Sequence, residues 1–245
     1  MLNQALRYRR VTELLAAQQP GTLLEVGSGS RGIAGLISPA WRITSLDRSF
    51  DDYGATRTGS GSGVERVIGD VTALPFADRS FDAVVALDLM EHVPPQLRAK
   101  ALDELGRVAA AVTIVGCPCG PDALASDRRL AARYERLRGQ APGWLTEHLE
   151  NGFPTAAELA AGLAPHGEVT CFDNESVGAH EAIGTLEALP LAWTVSAVAA
   201  RALGGGRSGG RPRADALRGA VATRLRGGDS APSYRTIALL RRSAP

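Results

Sequence analysis

Lysine is almost missing from this chain: Lys100 is the only one, and arginine supplies the rest of the positive charge. That excludes a phosphate loop ending in Gly-Lys-Ser/Thr, because no glycine loop precedes the single lysine. Cysteine is scarce and odd in number, at Cys117, Cys119 and Cys171. These three thiols make no disulfide framework, and Cys117-Pro-Cys119 lacks C-x-x-C spacing, so for that pair buried thiols and no metal site are expected. Excess charge is lacking too. A formal net charge of +1 argues against the broad basic field of a dedicated nucleic-acid binder. No stretch approaches 18 uninterrupted apolar residues; the richest, around 188–203, is broken by Thr194, Ser196 and Arg201, so no membrane span is expected. The opening segment MLNQALRYRRVTELL has arginines inside it and no apolar run of secretory type. A cytoplasmic location is the expectation. No internal repeat is visible.

What is present suits a globular α/β protein. A chain of 245 residues buries roughly 70–75% of its unfolded surface, enough to fold without a disulfide or metal staple. Residues 2–17 have leucines spaced for an amphipathic helix, stopped by Pro20-Gly21. Short apolar runs then recur at 22–26, 41–46, 65–68, 81–87 and 112–115, the mark of strands in a sheet covered on both faces. A helix is expected at 33–37, and another from Pro94-Pro95 through Leu97, Ala101, Leu105 and Val108. Further on, 121–139 reads as a helix, and Thr155-Ala-Ala-Glu158 is a capping box opening a helix to Leu163. Residues 168–172 and 234–240 read as the last strands. The segments 54–63 and 204–213, rich in glycine, read as a loop and a Gly/Arg linker.

The chemistry gathers at strand ends. Gly27, Gly29 and Gly32 have G-x-G-x-x-G spacing directly after a strand, a turn that lets backbone approach a ligand closely. Asp47 ends the second strand, where a carboxylate can accept both hydroxyls of a ribose. Asp70 follows the third strand, where an acceptor for an adenine amino group is wanted, and Asp88 ends the fourth. Glu25 and Asp88 beside the glycine turn would repel a pyrophosphate and favour a cationic ligand.

Glu25-Val-Gly-Ser-Gly29, Leu46-Asp47, Gly69-Asp70 and LPFADRSFDAVVALDLMEHV at 74–93 resemble the class I S-adenosylmethionine-dependent methyltransferase superfamily, nearest its type 11 branch. The resemblance spans about residues 20–120 and departs from the pattern at Arg31, where many members carry a third glycine. It implies a doubly wound, Rossmann-like seven-stranded sheet, mostly parallel with an antiparallel last strand and helices on both faces. S-adenosyl-L-methionine is the implied cofactor. Glu25, Val26, Gly27, Ser28 and Gly29 would hold its methionine part, and Asp47 with Arg48 its ribose. Asp70 and Val71 would meet the adenine, with Asp88 and Leu89 near the methionine and the acceptor. The chain is then one domain over 1–245: helix 1–19, cofactor core 20–120, acceptor-side insertions 121–165 and 176–232, and terminal strand 233–245.

Methyl transfer is an in-line displacement, so the protein mainly aligns the nucleophile and excludes water. A general base is needed only for a hydroxyl or protonated amine. His92 is the candidate base, with packing of Glu91-His92 on the strand-four turn as the alternative. His148 is the second candidate, set against a place on a helix surface. Trp144, Tyr134 and Phe153 could wall an acceptor pocket or pack as core. The expected partner is a small-molecule acceptor; oxygen, nitrogen and carbon acceptors stay open, as does the oligomeric state. Competing readings are a nicotinamide-dependent oxidoreductase and a non-catalytic S-adenosylmethionine-binding protein.

Overall fold

The computed structural model describes residues 2–29, 32–50, 63–189 and 232–242. Its strands are β1 Thr22–Val26, β2 Arg42–Asp47, β3 Val64–Ile68, β4 Phe81–Leu87, β5 Ala109–Pro118, β6 Glu168–Ser176 and β7 Ser233–Arg241. The helices are α1 Leu2–Ala16, α2 Pro95–Val108, α3 Gly120–Arg138, α4 Gly143–Asn151, α5 Ala156–Leu163 and α6 Val177–Ala188. All seven strands form one sheet in the order β3-β2-β1-β4-β5-β7-β6. β1 to β5 are parallel, and β7 runs antiparallel between β5 and β6, as the resemblance implied.

The central strands are apolar throughout because both faces are covered. In β1, Leu24 packs with Leu102, Leu105, Leu159 and Leu163, whereas its neighbour Leu23 packs with Val11, Leu15 and Ile33. Val84 and Val85 of β4 divide between the same two cores. The edge strand β3 differs: Glu65, Arg66 and Ile68 are exposed. The order reverses at β1, which pairs with β2 on one side and β4 on the other. In an open α/β sheet the crevice beyond the strand ends at such a reversal is where ligands bind.

Most expected elements stand. The capping box of α5 is complete: Glu158 N donates to Thr155 Oγ1 at 3.1 Å, and Thr155 N donates to Glu158 Oε2 at 2.6 Å. β5 is longer than expected because β7 pairs along it from Val112 to Pro118. The helix expected at 33–37 is instead a set of turns. The Ile33 N–H is turned back to the Glu25 carboxylate, Gly35 weakens helical propensity, and Pro39 bars extension. Helices α4 and α6 were not legible in the sequence. The expected linker 204–213 and nearly all of the expected loop 54–63 lie outside the described residues, as do Arg31 and 190–231 of the second insertion. Among the described residues, no helix is long and apolar enough to cross a membrane.

Candidate active site

β1 delivers Glu25 and Val26 buried and then turns through Gly27 and Gly29, both with positive φ, +75° and +54°. Leu89 lies against Gly27, where a Cβ would come within 3.0 Å of Leu89 Cδ1. Among the described residues, nothing lies within 4 Å of a Cβ position at Gly29. The Gly29 N–H donates to Asp47 Oδ2 at 2.7 Å, and Ser49 N donates to Asp47 Oδ1 at 3.3 Å. The glycine turn and the acid of β2 are therefore one preassembled unit. Ser28 Oγ donates back to the Gly29 carbonyl. Asp70 Oδ1 accepts from both N and Oγ1 of Thr72, bonds that hold its carboxyl below the usual range, and Arg48 approaches its Oδ2 to 3.9 Å. Val71 is buried in the core beside that turn.

Two of the expected site acids have partners that the sequence did not suggest. Glu25 lies behind the loop, its Oε1 accepting from Tyr8 OH at 3.1 Å and its Oε2 from Ile33 N at 2.9 Å. Burial raises its carboxyl to about 7, against those two bonds. Asp88 is flanked by Arg7 of α1 and Arg235 of β7, with Arg235 Nη2 2.8 Å away, and Arg235 also pairs with Glu175 of β6. Burial opposes ionisation of Asp88, but the two arginines overcome it and lower the carboxyl to about 2. Its charge is thus compensated within the fold. The Glu25 carboxyl is likewise engaged by Tyr8 and Ile33 N, and that of Asp88 by two arginines. What Asp88 contributes is shape: a non-glycine residue at φ +49° that turns the chain sharply and lays Leu89 on Gly27.

Beyond Asp88 the chain makes a tight turn, with His92 N donating to Leu89 O. Arg98 of α2 anchors it. Its guanidinium donates to the carbonyls of Met90 and Val93, and also to those of Asn151 and Gly152 at the end of α4. Asn151 Nδ2 returns a bond to the Glu91 carbonyl. This clamp places His148 of α4 beside His92, ring centroids 5.0 Å apart. His92 Nδ1 meets Glu147 Oε2 at 2.8 Å, and burial lowers the ring's proton affinity against that contact. His148 Nδ1 meets Asp127 Oδ2 at 2.7 Å. His148 is buried, not on a helix surface, because α4 packs against α3, which supplies Asp127. Glu91 is 1% exposed, and its Oε2 is a buried oxygen with no hydrogen-bond partner among the described residues. Burial and nearby Asp88 push its carboxyl well above the usual range.

Sequence reasoning missed Arg7, Tyr8, Asp127, Glu147, Glu175, His180, Tyr234 and Arg235. Asp127 is wholly buried and accepts from His180 Nε2 at 2.9 Å and Tyr234 OH at 3.0 Å besides its bond to His148. No spacing links residues this far apart, and only an acid inside the apolar face of α3 hinted at it. Of the three aromatics, Trp144 and Tyr134 pack with Leu130 and Leu145 as core, whereas Phe153 bridges the rings of His148 and Tyr234. Cys117 and Cys119 are buried free thiols, their sulfurs 3.8 Å apart.

The comparisons with known proteins fall on this same core. Residues 24–111 match the family model described as methyltransferase domain. Over those residues the chain is similar to a methyltransferase domain. A demethylmenaquinone methyltransferase of Thermotoga maritima is 36% identical over 81 residues, 31% of this chain and 34% of that protein. The chain thus spans about a third of the length of this curated relative. Among solved structures, Haemonchus contortus phosphoethanolamine N-methyltransferase 2 in complex with S-adenosyl-L-methionine superposes with a TM-score of 0.57 at 12% identity, covering 99% of this chain and 52% of that one. A putative sarcosine dimethylglycine methyltransferase from Galdieria sulphuraria gives 0.55 at 16% identity, covering 99% and 88%. At such identities these likenesses show the fold alone, while the similarity to the family model rests on the glycine loop and the strands around it.

Proposed function

We propose that the protein is an S-adenosylmethionine-dependent methyltransferase acting on a small-molecule acceptor. The observation that carries this reading is the open Gly27–Gly29 turn bonded to Asp47 at the reversal of strand order, inside the span that matches the methyltransferase family. The residues fit such a ligand. Backbone of Val26 to Gly29 would cradle the methionine part, with Glu25 shaping the loop from behind. Asp47, with Arg48 beside it, would accept the ribose hydroxyls; Asp70 and the backbone of Val71 would meet the adenine. Asp88 and Leu89 would line the methionine and acceptor side through backbone and apolar surface.

S-adenosylmethionine brings a methyl carbon already activated by its sulfonium, so the chain's own task is alignment and exclusion of water. On the acceptor side, each imidazole has Nδ1 engaged by a carboxylate, an arrangement in which the Nε2 of His92 or His148 would carry the lone pair available to an acceptor. The insertions 121–165 and 176–232 are proposed to select the acceptor. Match to the methyltransferase family over the glycine loop favours this reading over a nicotinamide enzyme.

Calorimetric titration with S-adenosylmethionine, S-adenosylhomocysteine and NADH tests the cofactor. Saturable binding of both sulfur ligands and none of NADH is expected; binding of NADH alone would overturn the reading. Release of S-adenosylhomocysteine during an acceptor screen then separates an enzyme from a non-catalytic binder.

A further inference from the structure

Glu91, His92 and His148 converge beside the acceptor end of the sheet. One potential ligand atom from each lies within 4.8 Å of the other two. We propose that these three side chains form a binding site for one borderline divalent cation of the first transition row, such as Zn2+ or Co2+.

Three independent observations meet there. The first is the donor set itself: two imidazoles and one carboxylate suit such ions, and three protein ligands leave coordination positions open. Around one ion with bonds of about 2.0–2.2 Å, ligand atoms sit roughly 3.0–3.6 Å apart, so this cluster closes on a cation through small side-chain rotations. The second is the orientation of the rings. His92 Nδ1 is held by Glu147 and His148 Nδ1 by Asp127. A carboxylate on one ring nitrogen is the arrangement that fixes a metal-binding imidazole and sharpens the other nitrogen as a ligand. Asp127 is in turn held by His180 and Tyr234, so His148 is rigidly presented. The third is the orphan. Among the described residues Glu91 Oε2 is buried without a partner, while Arg98, the guanidinium clamping its loop, donates to backbone carbonyls instead. A buried oxygen left unsatisfied among such neighbours is short of a cation or a donor.

The sequence showed no metal spacing because the ligands come from the turn after β4 and from α4, more than fifty residues apart. A cation held here would make His92 a ligand rather than a base and would polarise an acceptor oxygen. That consequence rests on the methyltransferase reading; cation binding does not.

Binding can be read without any methyl transfer. Chelator-treated full-length protein is titrated with CoCl2, following the visible ligand-field absorbance, and then with ZnCl2 by calorimetry. One Co2+ per chain is expected, displaced by Zn2+. Glu91→Gln and His92→Ala should each weaken binding at least tenfold, whereas His166→Ala, a remote histidine paired with Asp103, should leave it unchanged. Circular dichroism confirms that each variant is folded; Glu91→Gln keeps the side chain's volume and loses no hydrogen bond at Oε2. Absence of saturable binding overturns the proposal, as does binding that both Glu91→Gln and His92→Ala leave intact, or binding that His166→Ala abolishes.

Discussion

Asp47 holds the Gly29 N–H, and the same carboxylate is the proposed acceptor for the ribose hydroxyls. Asp47→Ala is expected to weaken S-adenosylmethionine by about 1.5–3 kcal/mol, the worth of charged hydrogen bonds, or roughly 10- to 150-fold in Kd by calorimetry. Glu25 gives a different signature. Its carboxyl lies near 4.5 in a free chain and is raised to about 7 in the fold, first by burial. The unfolded chain therefore gives up this proton earlier as pH rises. Glu25's contribution is fully present below pH 4.5 and is lost as pH climbs through 7, a change on the order of 3 kcal/mol. Urea midpoints of wild type and Glu25→Gln at intervals between pH 4.5 and 8 should show the wild type falling relative to the variant. Parallel curves would mean that Glu25 keeps its charge in the fold. At this scale the positions of both acids were legible from the strand ends, but the partners that set their behaviour, Tyr8 and Ile33 N for Glu25 and Arg7 and Arg235 for Asp88, were not.

At the scale of elements, the side proposed to meet the acceptor is held by contacts between helices that the sequence barely announces. α3 packs on α4 and α6, and Asp127 ties these helices to β7 through His148, His180 and Tyr234. Burial opposes its charge, but the bonds from His148 and His180 outweigh that and hold its carboxyl below the usual range. The ring of His180 stacks on Tyr234 with centroids 3.4 Å apart. Removing the acid leaves three buried donors without an acceptor. Asp127→Ala should therefore cost about 3–5 kcal/mol in urea unfolding, well beyond an ordinary surface change. The strands and α2 were readable because each carries its own apolar period or a proline start. α4 and α6 are short, and their apolar positions make sense only against α3 and β7.

For the whole molecule, a ligand that binds only the folded state must stabilise it. S-adenosylmethionine at a hundred times its Kd adds about 2.7 kcal/mol. For a domain of this size that raises Tm by about 5–10 °C, measurable by scanning calorimetry, and Asp47→Ala should need proportionately more ligand for the same rise. The sequence by itself determined the layered α/β architecture, the glycine turn and the row of acids at strand ends. Those are local facts, written in runs of apolar residues, tight-turn glycines and residues one step past a strand. Tertiary structure alone decided that Asp88 is ion-paired, since Arg7 and Arg235 reach it from distant parts of the sequence. It also decided that Glu91, His92 and His148 share one corner, because the Arg98 clamp joins the β4 turn to the end of α4. Hydrophobic periodicity reports which face of an element is buried; it says nothing about which distant polar group will be buried against it.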